Sequence, residues 1–257
     1  MSGFIVVIPA RMHSTRLPGK MLLDVCGLPL IVRTAKRARL TQASQVIVAT
    51  DHTDIYNVCK SHDIEVVMTA EAHPSGTDRL AEVVQLLNLP DGQIVINIQG
   101  DEPLINPSLV DQLADFMAVQ QTPIATLAHP IHDIQDVFNP NIVKVVLSAK
   151  SHALYFSRAP IAYDRDNYNM QSNSGGISTR NNVLRHIGVY AYTAGFLRQY
   201  QNLVPSVLES IESLEQLRAL YYGYAISVMQ TDANTSLGID TQSDLIKVRQ
   251  IIPLLNE

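Results

Sequence analysis

The sequence Phe4-Ile5-Val6-Val7-Ile8-Pro9-Ala10-Arg11-Met12-His13-Ser14-Thr15-Arg16-Leu17-Pro18-Gly19-Lys20 joins an apolar run to a loop that carries three cations. The apolar run is typical of a buried strand, and no carboxylate precedes Asp24 to neutralise Arg11, Arg16 and Lys20. Open α/β sheets bind ligands at loops that leave the carboxyl ends of parallel strands. In a chain of net charge −5 this loop therefore predicts a bound anion, and we expect the triphosphate of a nucleotide.

The alternative interpretation of this loop is a basic surface segment with a solvated face. Such a segment has no need of Pro9, Pro18 and Gly19, which stiffen this one. The loop is also not a P-loop, because the required glycine spacing is absent and Lys20 is followed by Met21.

Composition narrows the class of protein. A chain of 257 residues is long enough for one large domain, or for one domain with an appended lobe. Its excess of acidic residues argues against nucleic acid or an anionic membrane as the main partner. Cys26 and Cys59 form neither a disulfide framework nor a metal pattern, and no apolar run approaches the roughly 18 residues of a spanning helix. We therefore expect a cytoplasmic enzyme without membrane insertion.

Apolar runs alternate with helical periods along the first 122 residues, which predicts a mostly parallel sheet covered by helices on both faces. Shorter connections follow, and the polar stretch 165–182 predicts a mobile loop or insertion. Strands are predicted over 4–8, 45–49, 64–68, 93–98, 124–127, 142–147, 184–192 and 225–229, and helices over 28–40, 54–61, 78–87, 108–119, 208–221 and 244–252.

Two aspartates are candidate metal ligands. Asp101 follows an apolar strand and would lie beside the cationic loop if the two strands are neighbours, and a carboxylate next to phosphates suits Mg²⁺. Asp240 precedes the last predicted helix. The alternatives are a turn residue for Asp101 and a helix N-cap for Asp240, for which Thr241 is an equally good candidate.

Small residues open the helix predicted near residue 78. Ser75, Gly76 and Thr77 have free N–H groups that can contact a ribose, a base edge or a phosphate. A plain N-cap at Thr77 or Asp78 is an equally good interpretation.

The second half holds candidates for binding an acceptor. Arg158 follows a strand-like run and can hold a carboxylate in a bidentate manner. His186 lies within a predicted strand, where a satisfied interior histidine is the common outcome. In the predicted helix 208–221, Glu215 and Arg218 fall on the apolar arc, which indicates either an internal ion pair or an arc that faces a polar pocket. Gln216 lies near the same rim.

The chain resembles the 3-deoxy-manno-octulosonate cytidylyltransferase family of sugar nucleotidyltransferases over nearly its full length. One departure lies at Ala162-Tyr163, where the family commonly has Pro-Trp, and the 165–182 stretch is longer and more polar than expected. The matching segments are Ile8–Arg11, Ser14–Lys20, Ala49–Asp51, Ser75–Arg79, Gln99–Pro103, Tyr155–Arg158, Arg185–Gly188, Leu214–Arg218, Asp240–Thr241 and Asp244–Leu245.

The resemblance implies an α/β fold of the Rossmann-like, glycosyltransferase-A type, with a mixed, mostly parallel sheet and a smaller dimerisation and sugar-binding lobe. It implies a single domain over residues 1–257, in which 1–122 mainly bind the nucleotide and 123–257 mainly bind the sugar and form a homodimer. It also implies CTP and Mg²⁺.

The site residues that the resemblance implies fall into three groups. Lys20, Asp101 and Asp240 are implied in catalysis, with Asp101 and Asp240 as the Mg²⁺ ligands. CTP is assigned to Pro9, Ala10, Arg11, Arg16, Lys20, Ser75, Gly76, Thr77 and Arg79. The sugar acid is assigned to Gln99, Arg158, His186, Glu215 and Gln216.

The implied reaction transfers a cytidylyl group from CTP to the C2 hydroxyl of 3-deoxy-D-manno-octulosonate (Kdo), giving CMP-Kdo and pyrophosphate. Its product activates Kdo for lipopolysaccharide biosynthesis. The alternatives are a cytidylyltransferase for a related acidic sugar, either 8-amino-Kdo or a sialic acid, and a catalytically silent nucleotide sensor on the same fold.

Overall fold

The first half of the chain alternates strands and helices, as predicted. The computed structural model describes residues 3–14, 16–73, 75–169, 174–175, 183–232 and 238–254. Its elements up to residue 119 are β1 (Ile5–Ala10), β2 (Asp24–Val25), β3 (Leu28–Pro29), α1 (Leu30–Ala38), β4 (Gln45–Thr50), α2 (Thr53–Ser61), β5 (Glu65–Met68), α3 (Gly76–Leu86), β6 (Ile94–Asn97) and α4 (Pro107–Val119), with a 3₁₀ turn at Lys20–Leu22.

The second half has shorter elements and a different rhythm. Within the predicted loop 165–182, residues 170–173 and 176–182 lie outside the described residues. The elements are β7 (Ile124–Pro130), α5 (Ile134–Phe138), β8 (Lys144–Leu147), β9 (Ala153–Ser157), β10 (Tyr168–Asn169), β11 (Ser174–Gly175), β12 (Leu184–Thr193), α6 (Ala194–Tyr200), α7 (Val207–Glu212), α8 (Gln216–Tyr221), β13 (Ile226–Gln230) and α9 (Gln242–Ile251), followed by a 3₁₀ turn at Ile252–Leu254.

A mixed, mostly parallel sheet joins the two halves. Its strand order is β5-β4-β1-β6-β12-β7-β13. Neighbours are parallel except around β12, which is antiparallel to both β6 and β7. The start of β12, at Leu184 and Arg185, also pairs with β8, and β8 in turn pairs with β9. The predicted fold class is therefore confirmed.

The apolar composition of β1 explains its central place. All six of its residues are buried, as expected for a parallel strand covered on both faces. Val6 and Ile8 belong to the core cluster under α1, α2 and α4, whereas Ile5 and Val7 belong to the cluster under α3 and α6. Helices therefore cover both faces of the sheet.

The carboxyl ends of β1 and β6 come together at one sheet edge, because the two strands are parallel neighbours. The loop after β6 packs tightly there: a Cβ on Gly100 would lie 3.0 Å from Met21 Sδ and 3.1 Å from the Pro9 carbonyl oxygen. Glycine suits this close approach, which brings Asp101 next to the cationic loop.

The single helix predicted over 208–221 is wrong. Ser206 and Glu209 form a capping box that begins α7. Ser213 then adopts a left-handed conformation (φ 52°, ψ 52°) and separates α7 from α8. The predicted apolar arc does not form either, because three of its four apolar residues are exposed: Leu208 (38%), Ile211 (75%) and Tyr221 (59%).

None of the helices in the described part of the chain is long and apolar enough to cross a membrane.

Candidate active site

A cavity of about 300 Å³ opens at the carboxyl ends of β1 and β6, and we call it cavity A. It brings the loop after β1 together with the start of α3, the loop after β6 and the segment before α9. Its walls consist of Pro9, Arg11, His13, Ser14, Arg16, Lys20, Met21, Ser75, Gly76, Gln99, Gly100, Asp101, Glu215 and Asp240.

Lys20 lies between the two predicted metal ligands. Its Nζ is 2.5 Å from Asp101 Oδ2, 3.1 Å from Asp240 Oδ1 and 3.2 Å from the Ile239 carbonyl oxygen. Burial alone would lower the pKa of Lys20, but attraction and hydrogen bonds from Asp101 and Asp240 outweigh it and raise the pKa above 10.5. Lys20 is therefore a firmly charged bridge between two carboxylates.

The predicted lack of a counter-charge is wrong for two of the three cations. Lys20 has Asp101 and Asp240, and Arg16 Nη2 lies 2.9 Å from Asp240 Oδ2. These acids are more than 80 residues away along the chain, so only the fold brings them to the loop.

Arg11 remains available for a ligand. It lines cavity A, and its Nη2 is buried with no hydrogen-bond partner in the described part of the chain. A buried charged donor left unpaired costs about 1–3 kcal/mol or more. An anion in cavity A would remove that penalty.

The start of α3 adds backbone donors to cavity A. Ser75 is its N-cap, with its hydroxyl 3.2 Å from the Asp78 N–H, so a cap at Thr77 or Asp78 is wrong. Ser75 and Gly76 line the cavity, and the positive end of this 11-residue helix therefore faces the place where an anion would bind.

Two predicted nucleotide residues lie away from the cavity walls. Arg79 lies in the first turn of α3 and is fully buried. Its guanidinium donates to Thr69 Oγ1 and to Asp51 Oδ2. Arg79 therefore does not line cavity A, and its contact with the nucleotide stays a prediction. Ala10 is buried in β1 and does not line cavity A, whereas Pro9 does.

A second cavity of about 230 Å³, which we call cavity B, lies beside the first. Gln99 and Glu215 line both cavities and form their common wall. The other walls of cavity B come from α3, β6, β12 and the α7–α8 junction: Thr77, Asn97, His186, Gly188, Tyr190, Tyr192, Ser213, Leu214 and Gln216.

Cavity B presents unpartnered polar atoms. Asn97 Oδ1, the Tyr190 hydroxyl and Gln216 Nε2 are buried and have no hydrogen-bond partner among the described residues. Buried polar groups are normally satisfied, so this set favours a ligand rich in hydroxyl groups. Sequence reasoning missed Asn97 and Tyr190. The alternation of side chains from His186 along β12 was the signal that would have found Tyr190.

Glu215 faces the cavities instead of pairing with Arg218. Its Oε2 accepts from Thr77 Oγ1 at 3.0 Å and from the Thr77 N–H at 3.4 Å. Arg218 donates instead to Glu209, at 2.5 and 2.8 Å. Of the two interpretations offered by the sequence, the polar pocket is the one that the geometry supports.

Arg158 lies outside both cavities in this structure, so its role in binding the sugar acid stays a prediction. Its guanidinium donates to the carbonyl oxygens of Glu212 (2.7 Å), Pro140 (3.0 Å) and Ser213 (3.4 Å). These bonds hold the end of α7, which leads into the wall of cavity B.

We predict that Arg158→Ala lowers the free energy of unfolding by roughly 1–2 kcal/mol, because three carbonyl oxygens lose a charged donor. Urea denaturation of this variant and of Arg158→Lys, which keeps the charge, measures the effect. A rise in the acceptor KM at unchanged stability would instead support Arg158 as the ligand of the sugar carboxylate.

His186 lines cavity B, and it is neutral. Burial, with a smaller effect from Arg185, lowers its pKa from 6.5 to about 3. Its Nε2 lies 3.1 Å from Thr126 Oγ1.

The lowered pKa predicts a pH dependence. Between about pH 6.5 and pH 3 the unfolded chain binds a proton at His186 that the folded chain does not, so stability falls as the pH falls. We expect this residue alone to remove about 1–2 kcal/mol between pH 7 and pH 5. Urea midpoints of the protein and of His186→Gln at both pH values test this, and equal losses in the two proteins would contradict it.

Comparisons with known proteins agree with this geometry. A family model described as "Cytidylyltransferase" matches residues 5–229. The chain is 50% identical over 251 residues to the 3-deoxy-manno-octulosonate cytidylyltransferase of Neisseria meningitidis serogroup A, with 98% of each chain covered. The protein of the same name from Neisseria gonorrhoeae is also 50% identical, again with 98% of each chain covered.

Solved structures give the same result. CMP:2-keto-3-deoxy-manno-octonic acid synthetase complexed with CTP matches with a TM-score of 0.88 at 40% identity, covering 98% of this chain and 99% of that one. A cytidylyltransferase from Leptospira borgpetersenii has the same fold, with a TM-score of 0.61 at 16% identity over 98% of this chain and 87% of that one. The chain therefore belongs to the cytidylyltransferases, and among them to the 3-deoxy-manno-octulosonate cytidylyltransferase family.

Proposed function

We propose that this chain transfers the cytidylyl group of CTP to the C2 hydroxyl of Kdo and releases CMP-Kdo and pyrophosphate, which activates Kdo for lipopolysaccharide biosynthesis. The observation that carries the proposal is the pair of adjoining cavities, one lined by cations and one by unpartnered polar groups, which share Gln99 and Glu215. The names of the relatives supply the identities of the two substrates.

In this proposal cavity A receives CTP. Arg11, Arg16 and Lys20 neutralise the triphosphate, and the start of α3 at Ser75 and Gly76 donates backbone N–H groups to it. Pro9 and Ala10 contribute the end of β1, and Thr77 stands at the border with cavity B. Residues 1–122 thus supply most of the nucleotide site.

Cavity B receives the sugar acid, mostly on residues 123–257. Its predicted ligands are His186, Glu215 and Gln216, with Gln99 from the first half, and we add Asn97 and Tyr190 because their polar atoms lack partners. The C2 hydroxyl would then meet the α-phosphate at the common wall. Catalysis rests on this positioning and on charge neutralisation, because no covalent step on the protein is required.

Asp101 and Asp240 fit a Mg²⁺ ion. The side chains that line cavity A carry three positive charges (Arg11, Arg16, Lys20) and three negative ones (Asp101, Asp240, Glu215). Their sum is zero, so the walls alone leave a triphosphate poorly neutralised. Two carboxylates beside phosphate oxygens are the donor set that Mg²⁺ prefers. When bound, Mg²⁺ lowers the pKa of the attacking hydroxyl and polarises the α-phosphate.

We also propose a homodimer that works in the cytoplasm. None of the residues of α7 is buried, and its Val207 and Ile211 are 70% and 75% exposed, which is unusual for a helix facing water. The two free cysteines need no oxidising compartment. Sedimentation of the protein and of Ile211→Asp tests the dimer, because a charge on this face would shift the population toward monomer.

Pyrophosphate release tests the reaction. We would incubate the protein with CTP and Mg²⁺ against Kdo, 8-amino-Kdo, a sialic acid and no acceptor. Release with Kdo and little without acceptor is the expected result. Release with another sugar only would move the substrate while keeping the mechanism. No release with any acceptor, despite CTP binding, would overturn the proposal in favour of a nucleotide sensor.

A further inference from the structure

The strand β12 is irregular beside cavity B. Its pairing with β7 shifts register, so that Ile187 faces Leu127 while Tyr190 faces the adjacent Thr126. Gly188 and Val189 are thus extra residues in a bulge, a feature that re-aims side chains next to sites. The bulge lies between His186 and Tyr190, which both line cavity B.

Thr126, on the neighbouring strand β7, forms hydrogen bonds with this bulge. Its side chain is fully buried and is absent from the walls of both cavities. Its Oγ1 lies 2.8 Å from the Val189 carbonyl oxygen, 3.1 Å from that of Ile187 and 3.1 Å from His186 Nε2. One hydroxyl therefore connects the bulge with the ring of His186.

The donor and acceptor capacities of these groups favour one direction for the bonds. A threonine hydroxyl carries a single hydrogen, and both bulge carbonyl oxygens can only accept. We therefore assign this hydrogen to the bulge, where the Val189 carbonyl oxygen offers the shortest distance. His186 Nε2 then has to carry its own hydrogen and donate it to Oγ1.

We propose that Thr126 is a positioning residue, whose hydroxyl fixes the bulge of β12 and holds His186 as the Nε2–H tautomer. Nδ1, which makes no hydrogen bond to a described residue, is then free to accept a hydrogen bond from a hydroxyl group of the ligand in cavity B. The inference rests on the proposed function only in taking that ligand to be the sugar acid.

Two contacts support a fixed imidazole. The His186 ring packs against Phe156 and Tyr190, with centroid distances of 4.9 and 5.3 Å. The ring is also neutral, since burial lowers its pKa to about 3, so it has one donor and one acceptor nitrogen. The tautomer therefore determines whether His186 accepts from a ligand or donates to it.

The first test needs no substrate. ¹⁵N NMR of the full-length protein at pH 7 reports which ring nitrogen carries hydrogen, and the spectrum of His186→Gln identifies the signal. We expect Nε2 to be protonated and Nδ1 to be bare. The opposite tautomer in the wild-type protein would overturn the inference whether or not the enzyme acts on Kdo.

Variants give the second test. We expect Thr126→Val, which keeps the shape but loses the hydroxyl, to mix the two tautomers and to raise the acceptor KM about tenfold, with the CTP KM changed by less than about twofold. Thr126→Ser keeps the hydroxyl and should restore the wild-type tautomer and KM.

Thr122→Val is the matched control. Thr122 is also buried, and its hydroxyl bonds Ile124 and Ser227 rather than cavity B. We expect this variant to leave the His186 signals and the acceptor KM unchanged. A wild-type tautomer and KM in Thr126→Val would overturn the inference, and so would equal effects of the two valine variants. If Thr126→Val does not fold, the wild-type tautomer and the Thr126→Ser kinetics decide.

Discussion

Replacing Asp101 with asparagine removes most turnover: we expect kcat to fall by about three orders of magnitude, while CTP binding weakens by less than about tenfold. Asparagine keeps the size of the side chain but removes the charge that faces Lys20 at 2.5 Å. In the proposed reaction this carboxylate is one of two that hold Mg²⁺. The triphosphate contacts proposed for Arg11 and α3 do not depend on it, so we expect binding largely to survive.

Pyrophosphate release at saturating CTP and Kdo measures this effect, and calorimetry measures CTP binding separately. Asp115→Asn is the matched control, because Asp115 is exposed on α4 and outside both cavities. It should behave like the wild-type protein. Unchanged Mg²⁺-dependent turnover in Asp101→Asn would remove Asp101 from the metal site.

The sheet could be predicted because its strands have recognisable local patterns of apolar residues. The run that becomes β1 is apolar at nearly every position, which is typical of a strand buried on both faces. The start of α4 carries a similar local signal, with Asn106 as its N-cap and Pro107 at the first helical position. These signals depend only on neighbours within a few residues.

The charge balance of the site could not be predicted, because it depends on residues far apart along the chain. The loop after β1 offers no hint that Asp240 would lie 3.1 Å from Lys20. The same limit applies to the position of Arg79 outside cavity A. An arginine in the first turn of a helix can face a ligand or turn toward Asp51, and only the packing of α3 on the sheet decides between them.

The error in helix 208–221 has a different cause. Its apolar spacing fits a helical period, and Ser213 is an ordinary residue that carries no signal for a left-handed conformation. The break rotates α8 relative to α7, which is why Glu215 reaches Thr77 and Arg218 reaches Glu209. A periodic pattern assumes a continuous helix, and it loses its meaning when one residue interrupts that helix.

Replacing Lys20 with methionine tests the site from its cationic side. Methionine has a similar length but no charge, so Asp101 loses its ammonium partner and Asp240 keeps only Arg16. We expect turnover to fall by about two orders of magnitude. We also expect the free energy of unfolding at pH 7 without divalent ions to fall by about 2 kcal/mol, because the half-buried Asp101 carboxylate loses its counter-charge.

The pH dependence of this loss follows from the raised pKa of Lys20. The stability that Lys20 contributes is fully present below its unfolded pKa of 10.5 and is lost as the pH rises through the higher folded value. The difference between the wild-type protein and Lys20→Met should therefore be constant near neutral pH and shrink above pH 10.5. Thermal unfolding over this range measures it.

Mg²⁺ provides the sharpest readout of this variant, since it needs no turnover. If the two carboxylates form a cation site, Mg²⁺ should raise the unfolding temperature of Lys20→Met more than that of the wild-type protein, where Lys20 competes for the same oxygens. Lys36→Met, at an exposed position of α1, controls for the loss of one positive charge. Equal Mg²⁺ stabilisation of all three proteins would mean that Asp101 and Asp240 serve Lys20 alone, and the metal would then have to bind through the nucleotide phosphates.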